Sequence, residues 1–226
     1  MGTHANALAV MAKAPVAGQV KTRLRPALTD TQAAELSRSL LVDQLNQLQK
    51  LGNLDLYLAF APDDAGPLMK DFAPPCFQLF PQRGEDLGAR MQAVFAALFA
   101  KRHENVLLIG GDLPPVPVSF FEQAYDFLKA ADRRVVLGPS RDGGYYLVGC
   151  NQPTPQLFER MSWSHGEVLA QTRARLASLG IEYHLLPSWI DIDTPDDLRY
   201  LRSALSPGLE TAMPNTVKLL RSLRTD

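Results

Sequence analysis

The stretch NALAVMAKAPVAGQVKTRLRP, residues 6–26, predicts how the fold begins. Its first eight residues are apolar except at the two ends, which is typical of a buried strand ending at Lys13. A loop containing Pro15 and Gly18 follows, and three further basic residues come after the glycine, at Lys21, Arg23 and Arg25. Because ligands of open α/β sheets bind beyond the carboxyl ends of the strands, this basic loop is a candidate phosphate site. A basic loop that is merely solvated is the alternative interpretation.

The loop does not fit a P-loop, although GQVKT, residues 18–22, resembles the end of that motif. A P-loop requires Gly-Lys-Ser/Thr in direct succession, so that consecutive amides curl around the phosphates. Here Gln19 and Val20 separate Gly18 from Lys21. The spacing argues against a P-loop NTPase and leaves other kinds of phosphate site open.

Seven short apolar runs alternate with longer amphipathic stretches along the chain. The runs, interpreted as strands, cover residues 6–13, 53–61, 76–82, 105–110, 134–140, 145–150 and 181–187. The stretches, interpreted as helices, cover residues 29–52, 85–102, 165–180 and 214–224. Only RDGG, residues 141–144, separates the fifth run from the sixth, which indicates a hairpin or a loop leading into an antiparallel strand. The pattern predicts an α/β fold, a three-layer α/β/α sandwich around a mostly parallel mixed sheet.

The composition of the chain limits its partners. With 226 residues, 46% of them hydrophobic, the chain can form one sizeable core, and we expect a single domain over residues 1–226. The formal net charge of −1 creates no field that would attract nucleic acid. No stretch approaches the roughly 18 apolar residues of a membrane span, and no signal peptide is recognisable. We therefore expect a cytoplasmic protein without a membrane span; its oligomeric state is not predicted.

A second candidate site lies in NVLLIGGDLPPVP, residues 105–117. The strand predicted here ends in two glycines and presents Asp112 at the same edge of the sheet as the basic loop. A carboxylate in this position is well placed to bind Mg²⁺ or Mn²⁺, which prefer oxygen ligands. Asp112 could instead cap the following turn. The glycine pair favours a ligand, because it leaves space beside the carboxylate.

A third candidate site is SWIDIDTPDDL, residues 188–198, which contains Asp191 and Asp193 on either side of Ile192. In an extended segment the two carboxylates face the same way. Two crowded carboxylates are unfavourable unless a cation lies between them. We expect a helix to follow, capped by Thr194 with a proline in its first turn. A helix cap would account for one carboxylate but not for both.

Five motifs together resemble a known superfamily. They are KAPVAGQVKTRL (13–24), RGEDLGARM (83–91), GGDLPPV (110–116), RDGGYYLVG (141–149) and WIDIDTPDDL (189–198), and they span nearly the whole chain. The chain resembles the glycosyltransferase-A-type, Rossmann-like nucleotide-diphospho-sugar transferases, and within them a bacterial glycosyltransferase-like branch linked to arsenosugar biosynthesis. It is more distantly similar to the molybdenum-cofactor and phospholactate guanylyltransferases.

The resemblance implies a role for each motif. The first loop would bind the nucleotide phosphates through Lys13, Ala14, Pro15, Gly18, Lys21 and Arg23. The nucleotide base would be recognised near Gln82, Gly84 and Gly88. The acceptor or the sugar would contact Asp142, Gly143, Gly144 and Tyr145. Mg²⁺ or Mn²⁺ would be bound by Asp112 with Asp191 or Asp193, and the catalytic group would be Asp112, Lys21 and Asp193.

The resemblance also implies a function. The expected activity is metal-dependent transfer of a sugar from a nucleotide-sugar donor to a small-molecule acceptor. Asp112-Leu113-Pro114 has the form found in nucleotidyltransferases, so NTP-dependent nucleotidyl transfer, as in a guanylyltransferase, is the first alternative. A non-catalytic nucleotide-binding protein that kept the fold is the second alternative, since fold alone does not decide function.

Overall fold

The computed structural model describes residues 4–163 and 165–223. Its centre is one seven-stranded sheet. In chain order the strands are β1 (Asn6–Lys13), β2 (Asp55–Ala61), β3 (Phe77–Pro81), β4 (Asn105–Gly110), β5 (Arg134–Pro139), β6 (Tyr145–Cys150) and β7 (Glu182–Leu185). Across the sheet their order is β3-β2-β1-β4-β6-β5-β7. All seven strands predicted from the apolar runs are confirmed, with boundaries that differ by at most two residues at either end.

One strand of the sheet, β6, runs in the direction opposite to the others. β6 runs antiparallel to β4 and to β5, whereas the other pairs are parallel. The cause is the short connection from β5 to β6, because a parallel crossover needs a dozen or more residues. The predicted hairpin around residues 141–144 is thereby confirmed. The turn of this hairpin lies at the carboxyl end of β5, on the same edge as the ends of β1 and β4.

Eight α-helices surround the sheet in the described part of the chain. They are α1 (Asp30–Leu48), α2 (Gly66–Lys70), α3 (Leu87–Ala100), α4 (Val118–Lys129), α5 (Val168–Ser178), α6 (Pro195–Ser203), α7 (Pro207–Ala212) and α8 (Pro214–Ser222). Thr29 and Thr194 form the capping boxes that start α1 and α6. The predicted C-terminal helix is confirmed as α8, although its predicted last residue, Arg224, lies outside the described residues.

The two faces of the sheet bury different side chains of the same strands, as a period of two requires. On one face Leu8 and Val10 of β1 pack with residues of α1, α2 and α4. On the other face Ala7 and Ala9 of β1 pack with residues of α3 and α5. The α/β class and the three-layer arrangement are therefore confirmed.

A third hydrophobic cluster lies beyond the edge of the sheet and positions the candidate site. It joins Leu24 and Leu28, from the loop after β1, to Ile190 and Ile192, which precede α6. Residues of α1, α6 and α8 complete this cluster. The basic loop and the segment that carries Asp191 and Asp193 therefore share one core, although they are far apart in sequence. None of the helices within residues 4–163 and 165–223 combines the length and apolarity that a membrane crossing requires.

Candidate functional site

A cleft of about 500 Å³ opens at the carboxyl ends of β1 and β4. Its charged lining residues are Lys13, Lys21, Arg23, Glu85, Asp86, Arg90, Asp112 and Asp193. Met11, Ala12, Gln19, Val20, Thr22, Gln82 and Leu87 complete the lining. The structure thus brings together the basic loop, Asp112 after β4 and Asp193 of the third candidate site. They meet at the edge where open α/β sheets bind ligands.

The centre of the cleft is an ion-pair cluster of Lys21 with Asp112 and Asp193. The Lys21 ammonium lies 3.0 Å from Asp193 Oδ1 and 3.3 Å from Asp112 Oδ1, and it also donates a hydrogen bond of 3.2 Å to the Asp112 backbone carbonyl. The Lys21 side chain is 1% exposed, whereas those of Asp112 and Asp193 are 46% and 45% exposed. The lysine is therefore covered, while both carboxylates remain open to the cleft. Sequence reasoning assigned Lys21 to phosphates, but in this structure its ammonium faces carboxylates.

The backbone at Lys21 supports this placement. Lys21 has φ 51° and ψ 32°, the left-handed region that non-glycine residues adopt at a cost of order 1 kcal/mol or more. It precedes a short 3₁₀ turn, Thr22–Leu24, whose Leu24 is fully buried in the third cluster. Packing of Leu24 thus holds the loop in a conformation that directs Lys21 inward.

The electrostatic environment of Lys21 follows from this geometry. Burial by itself would lower the pKa of the ammonium, but Asp112 and Asp193 outweigh burial and raise the pKa above its usual value. Lys21 is therefore a cation at every physiological pH. It screens two carboxylates that would otherwise repel one another.

Asp191 lies in a different environment from Asp193. Burial, followed by the nearby charge of Asp193, raises the pKa of Asp191 to about 7, although Lys21 acts in the opposite direction. The charges of Asp142 and Asp112 add to the upward shift. All four aspartates therefore contribute to one acidic neighbourhood, with Lys21 as its buried counter-ion.

Asp112 is oriented by a residue that sequence reasoning missed. Ser37, on α1, donates a hydrogen bond from Oγ to Asp112 Oδ1 at 3.1 Å, and it is buried. The Asp112 carbonyl also accepts a hydrogen bond from the Ile192 amide at 3.3 Å. No short motif marks Ser37, and only its small polar side chain among the leucines of α1 could have indicated a special role.

The turn between β5 and β6 places Asp142 near the same neighbourhood. Its Oδ1 accepts hydrogen bonds from Ser140 Oγ and, at 3.1 Å, from the Gly144 amide. Gly143 has φ +85°, and a Cβ atom there would lie 2.0 Å from the Gly166 carbonyl oxygen. The hydroxyl of Tyr145 is buried and has no hydrogen-bond partner among the described residues. These four residues predicted for the acceptor side do not line the 500 Å³ cleft.

The residues predicted for base recognition separate into two groups. Gln82 lines the cleft, and its amide nitrogen is anchored by donation to Ala59 O at 2.8 Å and Ala12 O at 3.3 Å. Gly84 and Gly88 are not among the lining residues. A Cβ on Gly88 would lie 2.7 Å from the Trp163 ring, so this glycine permits close packing of α3 against Trp163.

The residues of the basic loop that were predicted to bind phosphates also fall into two groups, those that line a pocket and those that do not. Lys13, Lys21 and Arg23 line the main cleft. Ala14 lines an adjoining pocket of about 300 Å³, whose wall also includes Lys13 and Arg90. Pro15 and Gly18 line neither pocket, and they shape the loop instead.

Arg90 and Asp86 are lining residues that the sequence analysis did not select. Asp86 caps α3 by accepting from the Ala89 amide at 2.7 Å, and Arg90 donates from Nε to Gly84 O at 3.0 Å. Their i, i+4 spacing at the start of a predicted helix was the available indication, because it places both side chains on one face.

The donor atoms present fit a hard divalent ion only in part. Within residues 4–163 and 165–223 no group of three or more His, Cys, Asp or Glu side chains is arranged to hold a metal. Asp112 and Asp193 nevertheless present carboxylates to the cleft. Mg²⁺ commonly takes one or two carboxylates and completes its coordination with water and substrate phosphates. The pair fits that mode and does not fit an all-protein cage.

The fold is shared by several solved structures. A protein from Desulfovibrio desulfuricans G20, provisionally described as a nucleotide-diphospho-sugar transferase, superposes with a TM-score of 0.86 and 29% identity over 99% of this chain and 100% of its own. A cytidylyltransferase from Leptospira borgpetersenii serovar Hardjo-bovis (strain JB197) superposes with a TM-score of 0.62 and 12% identity over 99% of both chains. Rv0371C of Mycobacterium tuberculosis H37Rv, in complex with manganese, gives a TM-score of 0.55 and 20% identity over 90% of this chain and 100% of its own.

The fold is that of the nucleotide-diphospho-sugar transferases. Residues 44–165 match the family described as "Uncharacterized protein conserved in bacteria (DUF2064)", and the chain belongs to this family. No curated protein matches the chain. The matched range contains Asp112 and Asp142, whereas Lys21 and Asp193 lie outside it.

Proposed function

We propose that the protein is a metal-dependent transferase that uses a nucleotide-sugar donor. The observation that carries this proposal is the cleft at the ends of β1 and β4, where the cations Lys13 and Arg23 face the Asp112–Lys21–Asp193 cluster. A diphosphate bound there would place its negative charge against the cations and its oxygens near the carboxylate pair. The likeness in fold to the Desulfovibrio desulfuricans protein, over nearly the full length of both chains, supports the same class of donor.

The chemistry of glycosyl transfer accounts for the composition of the cleft. The bond between the anomeric carbon and the diphosphate oxygen breaks, the carbon bonds to an acceptor oxygen, and the nucleoside diphosphate leaves with the electron pair. Lys13 and Arg23 would neutralise charge that develops on the leaving phosphates. Mg²⁺ or Mn²⁺, held by Asp112 with Asp193 or Asp191, would add to that neutralisation. The acceptor would approach from the side of Asp142, where Asp142 or Asp193 could accept its proton.

Nucleotidyl transfer is the second candidate, and a specific observation favours it. Asp112 is followed by Leu113 and Pro114, so the end of β4 presents one aspartate rather than two. The fold is also shared with a cytidylyltransferase. In that reaction an acceptor oxygen would bond to the α phosphorus, the bond from that phosphorus to the bridging oxygen would break, and pyrophosphate would leave with the electron pair. The same cations would serve, since the charge again develops on a leaving phosphate.

A panel of thermal melts with NTPs, NDPs and nucleotide-sugars, each with Mn²⁺ or with EDTA, tests the proposal. A ligand at a hundred times its dissociation constant adds about 2.7 kcal/mol of stability, which raises the melting temperature by several degrees. We expect one nucleotide-sugar to give this rise only with Mn²⁺. A rise with one NTP alone would select nucleotidyl transfer, and no rise with any nucleotide would refute both activities.

Two variants complete the test. Asp112→Asn is expected to lose the metal-dependent rise, while Asp132→Asn, a matched change in the exposed turn before β5, keeps it. Turnover is then assayed with the nucleotide that the panel selects, by release of nucleoside diphosphate or pyrophosphate. Nucleotide binding without turnover and without metal dependence would indicate a non-catalytic nucleotide-binding protein.

A further inference from the structure

The Lys21 ammonium contacts both carboxylates that are proposed to hold a divalent ion. It is within 3.3 Å of one carboxylate oxygen of Asp112 and within 3.0 Å of one of Asp193. These carboxylates are the pair that fits a metal at the end of β4. A cation of the protein itself therefore pairs with the same two carboxylates.

The Lys21 ammonium is held mainly by the two aspartates. A lysine carries three N–H groups, and Lys21 donates hydrogen bonds to the Asp112 carbonyl and to Asp193 Oδ1, while Asp112 Oδ1 lies within ion-pair distance at 3.3 Å. Its side chain is only 1% exposed, although the residue belongs to the wall of the cleft. In this arrangement the charge of Lys21 is directed at the two carboxylates.

An ammonium and a divalent ion repel each other when they share two carboxylates. At separations of a few ångströms this repulsion persists even with the screening typical of a protein surface. We propose that Lys21 is a resident counter-ion that occupies the metal position between Asp112 and Asp193 in the nucleotide-free protein. On this proposal it weakens metal binding until phosphates supply other acceptors for the ammonium. This inference rests on the proposed function, because it assigns a role to Lys21 at the same site.

The backbone of Lys21 is consistent with such a role. The residue adopts the left-handed conformation, which is unfavourable for lysine and which strained functional loops often contain. Lys13 provides a contrast at the same cleft, because it is exposed and forms no ion pair with any residue in 4–163 or 165–223. Only one of the two cleft lysines therefore acts as a counter-ion to the carboxylates.

The test measures Mn²⁺ binding to the nucleotide-free protein, by the loss of the free-ion signal in electron paramagnetic resonance. Lys21→Met removes the charge, and we expect it to bind Mn²⁺ roughly tenfold more tightly than the wild type. Lys21→Gln, which is neutral but keeps a hydrogen-bond donor, should behave alike and serves if the methionine variant does not fold. Lys21→Arg keeps the charge and should stay close to the wild type. Lys50→Met is the matched control, because this exposed lysine just after α1 lines neither pocket, and it should change the affinity less than twofold.

Thermal melts separate this role from a purely structural one. In EDTA, Lys21→Met should melt below the wild type, because Asp112 and Asp193 then face each other without a cation. Excess Mn²⁺ should restore most of the loss, whereas it could not replace a lysine that only holds the loop. The inference is overturned if both neutral variants bind Mn²⁺ no more tightly than the wild type, or if Lys21→Arg binds it as tightly as they do.

The experiments distinguish a failure of the counter-ion role from a failure of the proposed transferase function. The Mn²⁺ titration followed by electron paramagnetic resonance uses no nucleotide, so its result does not depend on which donor the protein binds. If no nucleotide stabilises the wild type but the neutral variants still gain Mn²⁺ affinity, the counter-ion role stands and the transferase proposal falls. If nucleotides stabilise the wild type and the neutral variants gain nothing, only the counter-ion role falls.

Discussion

Ser37 Oγ lies 3.1 Å from Asp112 Oδ1 and donates a hydrogen bond to it across 75 residues of sequence. The same Asp112 oxygen lies 3.3 Å from the Lys21 ammonium. One oxygen of Asp112 is therefore bound by α1 and by the basic loop. The Asp112 side chain is 46% exposed, so part of it remains open to the cleft.

Ser37→Ala is expected to loosen Asp112 without unfolding the protein. Loss of one buried hydrogen bond lowers the free energy of unfolding by about 1 kcal/mol, measurable by urea denaturation. Loss of a partner that orients a metal ligand should reduce Mn²⁺ affinity in the presence of nucleotide by roughly tenfold. Ser39→Ala, on the partly exposed side of the same helix, is the control and should change neither quantity. An unchanged Mn²⁺ affinity in Ser37→Ala would show that Ser37 does not orient Asp112.

Asp191 predicts a pH dependence of stability. Its pKa in the folded protein is raised to about 7, above the ordinary value near 4, so the folded state holds a proton that the unfolded state has released between those values. Stability should therefore decline from about pH 4 to pH 7 through this group. Asp191→Asn should remove the decline, with a gain that grows over this interval and reaches on the order of 2 kcal/mol at pH 8.

Urea denaturation at a series of pH values in EDTA measures the effect of Asp191→Asn. The control is Asp196→Asn on the exposed first turn of α6, which should leave the pH profile parallel to that of the wild type. A gain from Asp191→Asn that is the same at pH 4 and pH 8 would contradict a raised pKa.

Gly143→Ala tests the turn that carries Asp142. The residue has φ +85°, and an added Cβ would meet the Gly166 carbonyl oxygen at 2.0 Å. Strain and overlap together should lower the free energy of unfolding by about 3 kcal/mol or more. Gly180→Ala is the matched control, since it also has a positive φ of 63° but nothing within 4 Å of the added atom. It should cost only about 1 kcal/mol, so equal losses in the two variants would refute the close approach.

Asp43→Ala should release α8 from α1. The buried Asp43 carboxylate accepts hydrogen bonds from the amides of Asn215 and Thr216, at 3.1 and 2.8 Å, in the first turn of α8. The side chain of Asn215 adds a third at 2.7 Å. Loss of this cap should lower stability by about 2 kcal/mol and speed amide hydrogen exchange in α8. Asp126→Ala, at an exposed position of α4, is the control, and unchanged exchange in α8 would refute the cap.

The sequence predicted the sheet well because its strands are buried on both faces and therefore read as nearly continuous apolar runs. It did not predict α4, whose aromatic residues Phe120, Phe121, Tyr125 and Phe127 are equally typical of strands. The RDGG turn predicted the one antiparallel strand because a connection that short allows nothing else.

The sequence predicted several of the residues that line the cleft, but not Asp86 or Arg90, and it predicted neither Ser37 nor the pairings within the site. The cations of the basic loop and the aspartates of the two later motifs could be expected at one edge of the sheet. The direction in which Lys21 points depends on its left-handed backbone and on the burial of Leu24 against Ile190 and Ile192. These contacts link distant segments, and no local pattern in the sequence encodes them.

The contact between Lys21 and Asp193 has a consequence for the protein during its synthesis. The two residues are 172 positions apart. At 5–20 residues per second, a ribosome needs on the order of 10–30 s to add Asp193 after Lys21. Throughout that interval Leu24 and Leu28 lack Ile190 and Ile192, and the lysine lacks one of its two carboxylates. A nascent chain that has completed β1 to β6 therefore has most of its sheet but no finished cleft, and the cleft can form completely only after Asp193 has been added.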